Sequence, residues 1–179
     1  MTEHKWHRRI TALVRQKEQI ARLDKDRLFP YTLPAVGATE DQLDALESVI
    51  GMGLGEEHRS FLATANGWRA FFETQDLLST DQLAGGPHRS AFTTWIDSAP
   101  PQARDAGFTS ANVLPIAVDL EMPLFSAMPI TEGRVLGRVI VLDPSGVIDD
   151  FESFASYIDS TITYTQRNLE DFEAGRYQA

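Results

Sequence analysis

Apolar positions along this chain change period twice, which divides it into helices, then strands, then a closing helix. Trp6, Ile10, Leu13, Val14 and Ile20, with Lys17 among them, follow a helical period and predict an amphipathic helix over residues 4–23 with a basic outer face. The segment LFPYTLPAVG, residues 28–37, holds Pro30, Pro34 and Gly37 and predicts an extended connector rather than a domain boundary. Thr39 and Gln42 then have the Thr-x-x-Gln form of a capping box, so a helix begins near Glu40. Leu43, Leu46, Val49 and Ile50 fall on one face of that helix, and Gly51 is placed to end it in the left-handed conformation. After a short linker, Glu56 and Glu57 complement the positive end of a second helix, and Phe61, Leu62 and Ala65 form its apolar face. Asn66-Gly67 ends it with a turn signal.

Residues 68–78 are aromatic and β-prone through Trp68, Phe71 and Phe72, and predict the first strand or strands. Gly85-Gly86-Pro87 and Ala99-Pro100-Pro101 break the pattern of residues 79–112 around AFTTWIDS, a short helix or an irregular excursion, so this stretch is expected to be an insertion-like surface region. Three β-prone runs follow, at 113–118, 123–130 and 135–142, expected to pair antiparallel, with Pro144-Ser145-Gly146 as a further turn. Phe151, Phe154, Ala155, Ile158, Ile162, Thr165, Leu169 and Phe172 keep a helical spacing for about six turns, with Asp149, Asp150 and Glu152 near the start of that helix. There is no internal repeat. The expected architecture is a single α+β domain over residues 1–179, with a mixed or antiparallel β-sheet packed against helices.

The order of these parts resembles the SMI1/KNR4 family, also called the SUKH superfamily. Gly37, Ala38 and Thr39 match its helix start, Leu43, Leu46, Ile50 and Gly51 its first helix, and Leu54, Glu56, Glu57, Phe61, Leu62, Asn66 and Gly67 its "lPeeyrxFLxxaNG" helix. Leu114-Pro115-Ile116-Ala117 is similar to its "hPIA" strand, Val139 to Asp143 to its "hhhlD" strand, and the segment from Phe151 to Ile158 to its closing helix. Gly55 stands where many members have proline, and Trp68 where a second glycine is common. The resemblance covers residues 37–163. Residues 1–36 supply an N-terminal helix and connector, and 164–179 extend the last helix.

The chain has 179 residues, 42% of them hydrophobic, enough for one full core. The absence of cysteine excludes disulfides, thiolate nucleophiles and Cys-ligated zinc, and fits a reducing, cytoplasmic address. No signal-peptide core and no apolar run of about 18 residues is present, so no membrane role is expected. The net charge of -10 opposes binding to nucleic-acid phosphates and would favour a basic protein partner, although acidity alone is also the ordinary solubility state of many bacterial proteins. Residues 1–27 carry eight of the 16 basic residues, whereas residues 143–173 carry eight acids against Arg167, so the N-terminal helix is expected beside acidic elements of the same molecule.

Candidate chemistry is sparse. His4 and His7 share a helix face, but His58 and His88 are distant in sequence, and no nucleophile elbow, phosphate loop, dinucleotide fingerprint or zincin helix occurs. No cofactor or metal is expected. The enzymatic alternative is a carboxylate–metal hydrolase built from Asp119, Glu121, Asp143, Asp149 and Asp150, although Asp143-Pro144-Ser145-Gly146 is also a good turn and Asp149 or Asp150 a good helix cap.

The family resemblance implies a non-catalytic binding module. Many bacterial members are similar to immunity proteins that block a cognate toxin domain, often a nuclease, and fungal relatives are interaction hubs, so an intracellular adaptor is the alternative. For an immunity protein, Asp76, Asp81, Asp119 and Glu121 would mimic the phosphates that a basic nuclease cleft expects, while Trp68 and Trp95 would supply aromatic anchors that exclude water.

Overall fold

The computed structural model describes residues 3–104 and 106–177. The N-terminal pattern folds as expected into α1 (Glu3–Leu23), α2 (Glu40–Ile50) and α3 (Glu56–Thr64). The α2 capping box is complete, with Gln42 N donating to Thr39 Oγ1 at 3.3 Å and Thr39 N to Gln42 Oε1 at 2.9 Å, and Gly51 ends the helix at φ +72°. Leu43 and Leu46 are buried as predicted, whereas Val49 is 64% exposed. Leu43 and Leu46 face the interior, and Ile50 packs partly buried against the core at the end of this three-turn helix.

Two motif glycines are required by close backbone approach. A Cβ on Gly37 would sit 2.0 Å from the Ala63 carbonyl oxygen, because the connector runs against α3 and Ala38 N donates to Leu62 O. A Cβ on Gly67, at φ +84°, would lie 2.7 Å from Ser79 N. The neighbouring Asn66 does more than turn the chain. Its side chain accepts from Thr80 N at 2.8 Å and donates to Thr80 Oγ1 at 3.1 Å, tying the end of α3 to the start of α4 (Thr80–Ala84).

The sheet contains β1 (Trp68–Phe72), β2 (Gln75–Leu77), β3 (Val113–Val118), β4 (Phe125–Thr131), β5 (Arg134–Val135), β6 (Val139–Asp143) and β7 (Gly146–Phe151). Among the described residues it is seven-stranded and antiparallel, in the order β1-β2-β3-β4-β6-β7, with β5 on β4. The molecule is therefore an α+β domain with an antiparallel sheet.

Two expectations are corrected here. Residues 146–151, assigned to the approach and first turn of the last helix, form edge strand β7. The helix itself, α7 (Phe154–Glu173), starts after its own capping box of Ser153 and Ser156. Phe151 sits at a helical interval from Phe154, so periodicity alone runs through the boundary. The segment 79–112 is also more than a surface insertion. It supplies α4, α5 (Pro87–Asp97) and α6 (Pro101–Arg104), and Phe92 and Ile96 of α5 are buried. Gly85 and Gly86 separate α4 from α5, and Pro87 occupies the first turn of α5, where its missing N–H costs no hydrogen bond.

Helices cover both faces of the sheet. Phe92 and Trp95 of α5 pack on Phe125, with ring centroids 5.4 and 4.5 Å apart. On the other face Trp6 of α1, Phe61 of α3 and Phe154 of α7 meet edge to edge at 5.3–5.8 Å, pairs worth about 0.5–1.5 kcal/mol each beyond their burial. The opposite charges of the chain ends do meet: Arg9 makes two hydrogen bonds to Asp159 of α7 at 2.6 and 2.7 Å. Glu57 accepts from Lys5 Nζ at 2.6 Å and from Ala155 N at 2.9 Å, so it caps α7 instead of serving only its own helix. Burial pushes the Glu57 carboxyl up, but these two hydrogen bonds and the charges of Lys5 and Arg9 bring it below its ordinary value.

Candidate functional site

Strand register brings three of the six candidate residues together. Asp76 of β2 pairs with Val118, the last residue of β3, so it stands beside the β3–β4 turn that carries Asp119 and Glu121. All three line a depression of about 210 Å³, shared with Pro30, Arg69, Ala70, Thr74 and Leu120. The other three lie elsewhere. Trp68 is buried in the core with its indole N–H donating to Thr32 O, so it is not an exposed anchor. Trp95 is partly buried against Phe125, and Asp81 is exposed in the first turn of α4.

The carboxylates in the depression do different work. Asp119 is 5% exposed, and its oxygens accept from Thr74 Oγ1, from Glu121 N at 2.8 Å and from Met122 N at 3.0 Å. It holds the turn in shape, as an Asx turn does. Asp76 accepts from Ala70 N at 2.7 Å and faces His88 Nε2 at 2.9 Å. The Gln82 amide N, part of the α4 capping box, lies 3.2 Å from His88 Nδ1. An amide nitrogen only donates, so Nδ1 accepts and Nε2–H donates to Asp76. Both imidazole nitrogens are then engaged, and this Asp–His pair has none left to act on a hydroxyl nucleophile. Glu121 is exposed on the turn itself.

The depression has an apolar rim. Leu120 lines it at 55% exposure beside Pro30 of the connector, and the same turn and connector also expose Met122 at 63% and Tyr31 and Leu33 at 42% and 60%. The turn can present these side chains because Asp119 satisfies its backbone donors. The connector is fixed by Thr32 Oγ1 donating to Arg69 O and by Ala35 N donating to Gly67 O.

Beneath the depression lies a group that the sequence pattern marked without explaining. Lys17 occupies an interior position of the α1 stripe and is 6% exposed, with Nζ donating to Ala70 O at 2.6 Å. Burial lowers its pKa to about 8 against the opposing pull of Glu73. Ala70 is in the left-handed region at φ +47° within the irregular β1–β2 pairing. Lys17 binds its carbonyl and Asp76 its N–H, so the two side chains together hold this strained residue.

The carboxylates of the hydrolase alternative are dispersed. Asp143 accepts from Ser145 N and Oγ, Asp149 from Asp150 N and Tyr164 Oη, and Asp150 binds Arg138 at 2.7 Å. Among the described residues no three His, Asp or Glu side chains converge as a metal site; the His4 side chain lies outside those described. Likewise, no helix among the described residues is long and apolar enough to cross a membrane.

Arg69, His88, Lys17, Leu120 and Met122 were absent from the sequence-based candidates. Only Lys17 had a signal, a cation inside an apolar stripe. Comparison with known proteins adds no identity: no protein-family model matches the chain, and no curated protein matches it significantly.

Proposed function

We propose that this chain is a non-catalytic protein-binding module, an SMI1/KNR4-like immunity protein that blocks a basic bacterial toxin domain in the cytoplasm. The observation that carries this reading is the convergence of Glu121, Asp76, exposed Leu120 and Pro30 on one depression, next to a turn and a connector that also expose Met122, Tyr31 and Leu33. Large apolar side chains grouped on a surface and bordered by charge are the usual composition of a protein contact. The net charge of -10 steers a basic partner towards it. The order of capped helix pair, sheet and closing helix, on which the family resemblance rests, supports the same reading.

In this mechanism Glu121 meets a basic side chain of the toxin cleft, Leu120 and Met122 exclude water around that contact, and Asp119 keeps the turn rigid so that little is ordered on binding. Arg69, which lines the same depression, would select against an all-cationic surface and require one acidic group opposite it.

The test is capture of partners from native lysate by the tagged chain, at low and then moderate salt, beside the Leu120→Asp/Glu121→Arg variant. A stoichiometric basic toxin domain held by the wild type through partial screening and released by the variant is the expected result. Equal retention by the variant would remove the depression from the mechanism, and recovery of signalling or metabolic proteins instead would replace immunity with an adaptor role.

A further inference from the structure

A second cavity, of about 270 Å³, lies between α7 and the sheet and shares no lining residue with the depression. Its floor follows one register row, in which Ser126 of β4 pairs with Val141 of β6 and Val141 with Asp149 of β7. Paired residues project to the same face of a sheet. Its roof is the face of α7 that carries Thr161 and Tyr164. The remaining wall is largely apolar, and Ile148 and Tyr164, 50% and 40% exposed, mark its open end.

Asp149 is the one charged residue among the described lining residues. Its Oδ1 accepts from Asp150 N at 2.9 Å, and its Oδ2 accepts from Tyr164 Oη at 3.3 Å, a bond that crosses the open end from sheet to helix. These bonds fix the carboxylate in place without neutralising it. The two nearby cations are otherwise engaged and line no part of the cavity: Arg138 pairs with Asp150 at 2.5 Å, and Arg167 lies over the Tyr164 ring, 5.5 Å from its centroid. Among the described residues Asp149 therefore has no ion-pair partner. The Thr161 hydroxyl is used within α7, where Oγ1 donates to Tyr157 O.

We propose that this cavity is a binding site for a hydrophobic amine, whose apolar body fills the space between α7 and the sheet and whose ammonium group pairs with Asp149. The volume sets the size of the body, since a dry cavity of about 150 Å³ takes benzene and 270 Å³ takes one of about naphthalene size. The charge sets the head group. An apolar cavity with a few fixed polar groups orients a ligand through those groups, and here the charged one is an uncompensated carboxylate. An anion would meet Asp149 with no Lys, Arg or His among the described lining residues to receive it, in a chain whose net charge is -10. The site is independent of the partner surface, and either can exist without the other.

The probe is 1-naphthylmethylamine, protonated at pH 7, with 1-naphthylmethanol as the neutral control of the same shape and 1-naphthoate as the anionic one. Titration of the full chain, followed by NMR, should give saturable shifts at residues 126, 141 and 157–164 at roughly millimolar amine or below, the range for so small a ligand. Affinity should fall in the order amine, alcohol, naphthoate. Asp149→Asn keeps a side-chain acceptor for Tyr164 and removes the charge, so it should weaken the amine about two- to fivefold, as loss of one partly exposed ion pair requires, and leave the alcohol unchanged. Val141→Phe, which fills the floor while keeping a β-prone residue, should abolish binding of both. No saturable shifts with the amine, equal or tighter binding of the alcohol or naphthoate, or an amine affinity unchanged by Asp149→Asn would each overturn the proposal.

Discussion

Two faces of α7 meet the rest of the molecule in opposite ways. At the first turn Phe154 is fully buried among Trp6, Phe61 and His58, with ring centroids 4.9–5.8 Å away. Along the sheet-facing side, Tyr157, Thr161 and Tyr164 roof a cavity over small floor residues, Ser126 and Val141. The same helix is thus tightly packed where α1 and α3 bring aromatic side chains to it, and underfilled where the sheet brings short ones. Filling the first region holds the fold together; the second is left underfilled.

The largest effect should come from breaking the packed side. Phe154→Ala should destabilise the protein by about 3–5 kcal/mol in chemical denaturation, because the cavity it leaves is surrounded by rigid rings. His58 sharpens the same side. It is 1% exposed, its Nδ1 has no hydrogen-bond partner, and burial lowers its pKa from 6.5 to about 4. The unfolded chain takes up this proton below pH 6.5 and the folded one only below about 4, so stability should fall through that window by on the order of 3 kcal/mol. His58→Phe should flatten this acid limb relative to the wild type in urea melts between pH 7 and 4.

Lys17 gives the same sign on the alkaline side. Its folded pKa of about 8 lies below the unfolded value near 10.5, so the unfolded state holds more protons between those limits and stability should rise with pH there. Lys17→Met should remove this rise, measured as the difference between wild-type and variant unfolding free energies at pH 7.5 and 10. A smaller effect is expected at the α7 start, where Ser153→Ala breaks the capping box and should cost about 0.5–2 kcal/mol. Smallest of all, Tyr157→Phe should change stability by no more than about 1 kcal/mol, since Ser126 is the one group near the buried hydroxyl it deletes. A large loss there would erase the contrast between the two faces.

Local signals carried much of the fold. The Thr39–Gln42 box, Gly51, and the Leu43 and Leu46 face are properties of a few neighbouring residues, and they appear in the structure as read. The β6–β7 hairpin was harder, because Gly146–Phe151 is a largely exposed edge strand with no alternating pattern, and its last residue is in phase with the following helix. The α5 helix was hidden by the glycines and prolines that bound it. For the site, Asp76, Asp119 and Glu121 could be chosen as acids near strand ends, but their meeting depends on the β2–β3 register, which no local pattern encodes. The same holds for His88, which reaches Asp76 only because α4 folds the chain back. Trp68 shows the converse error: an aromatic after a turn is as suited to the core as to a contact, and here Thr32 O satisfies its indole N–H inside the fold.

The most direct test of the depression as the partner surface is hydrogen–deuterium exchange of the purified complex against the free chain. The account predicts slowed exchange in residues 28–37 and 119–124 and no change in residues 157–164. Protection confined to α5 or to the α7–β7 side, with the β3–β4 turn unaffected, would contradict it.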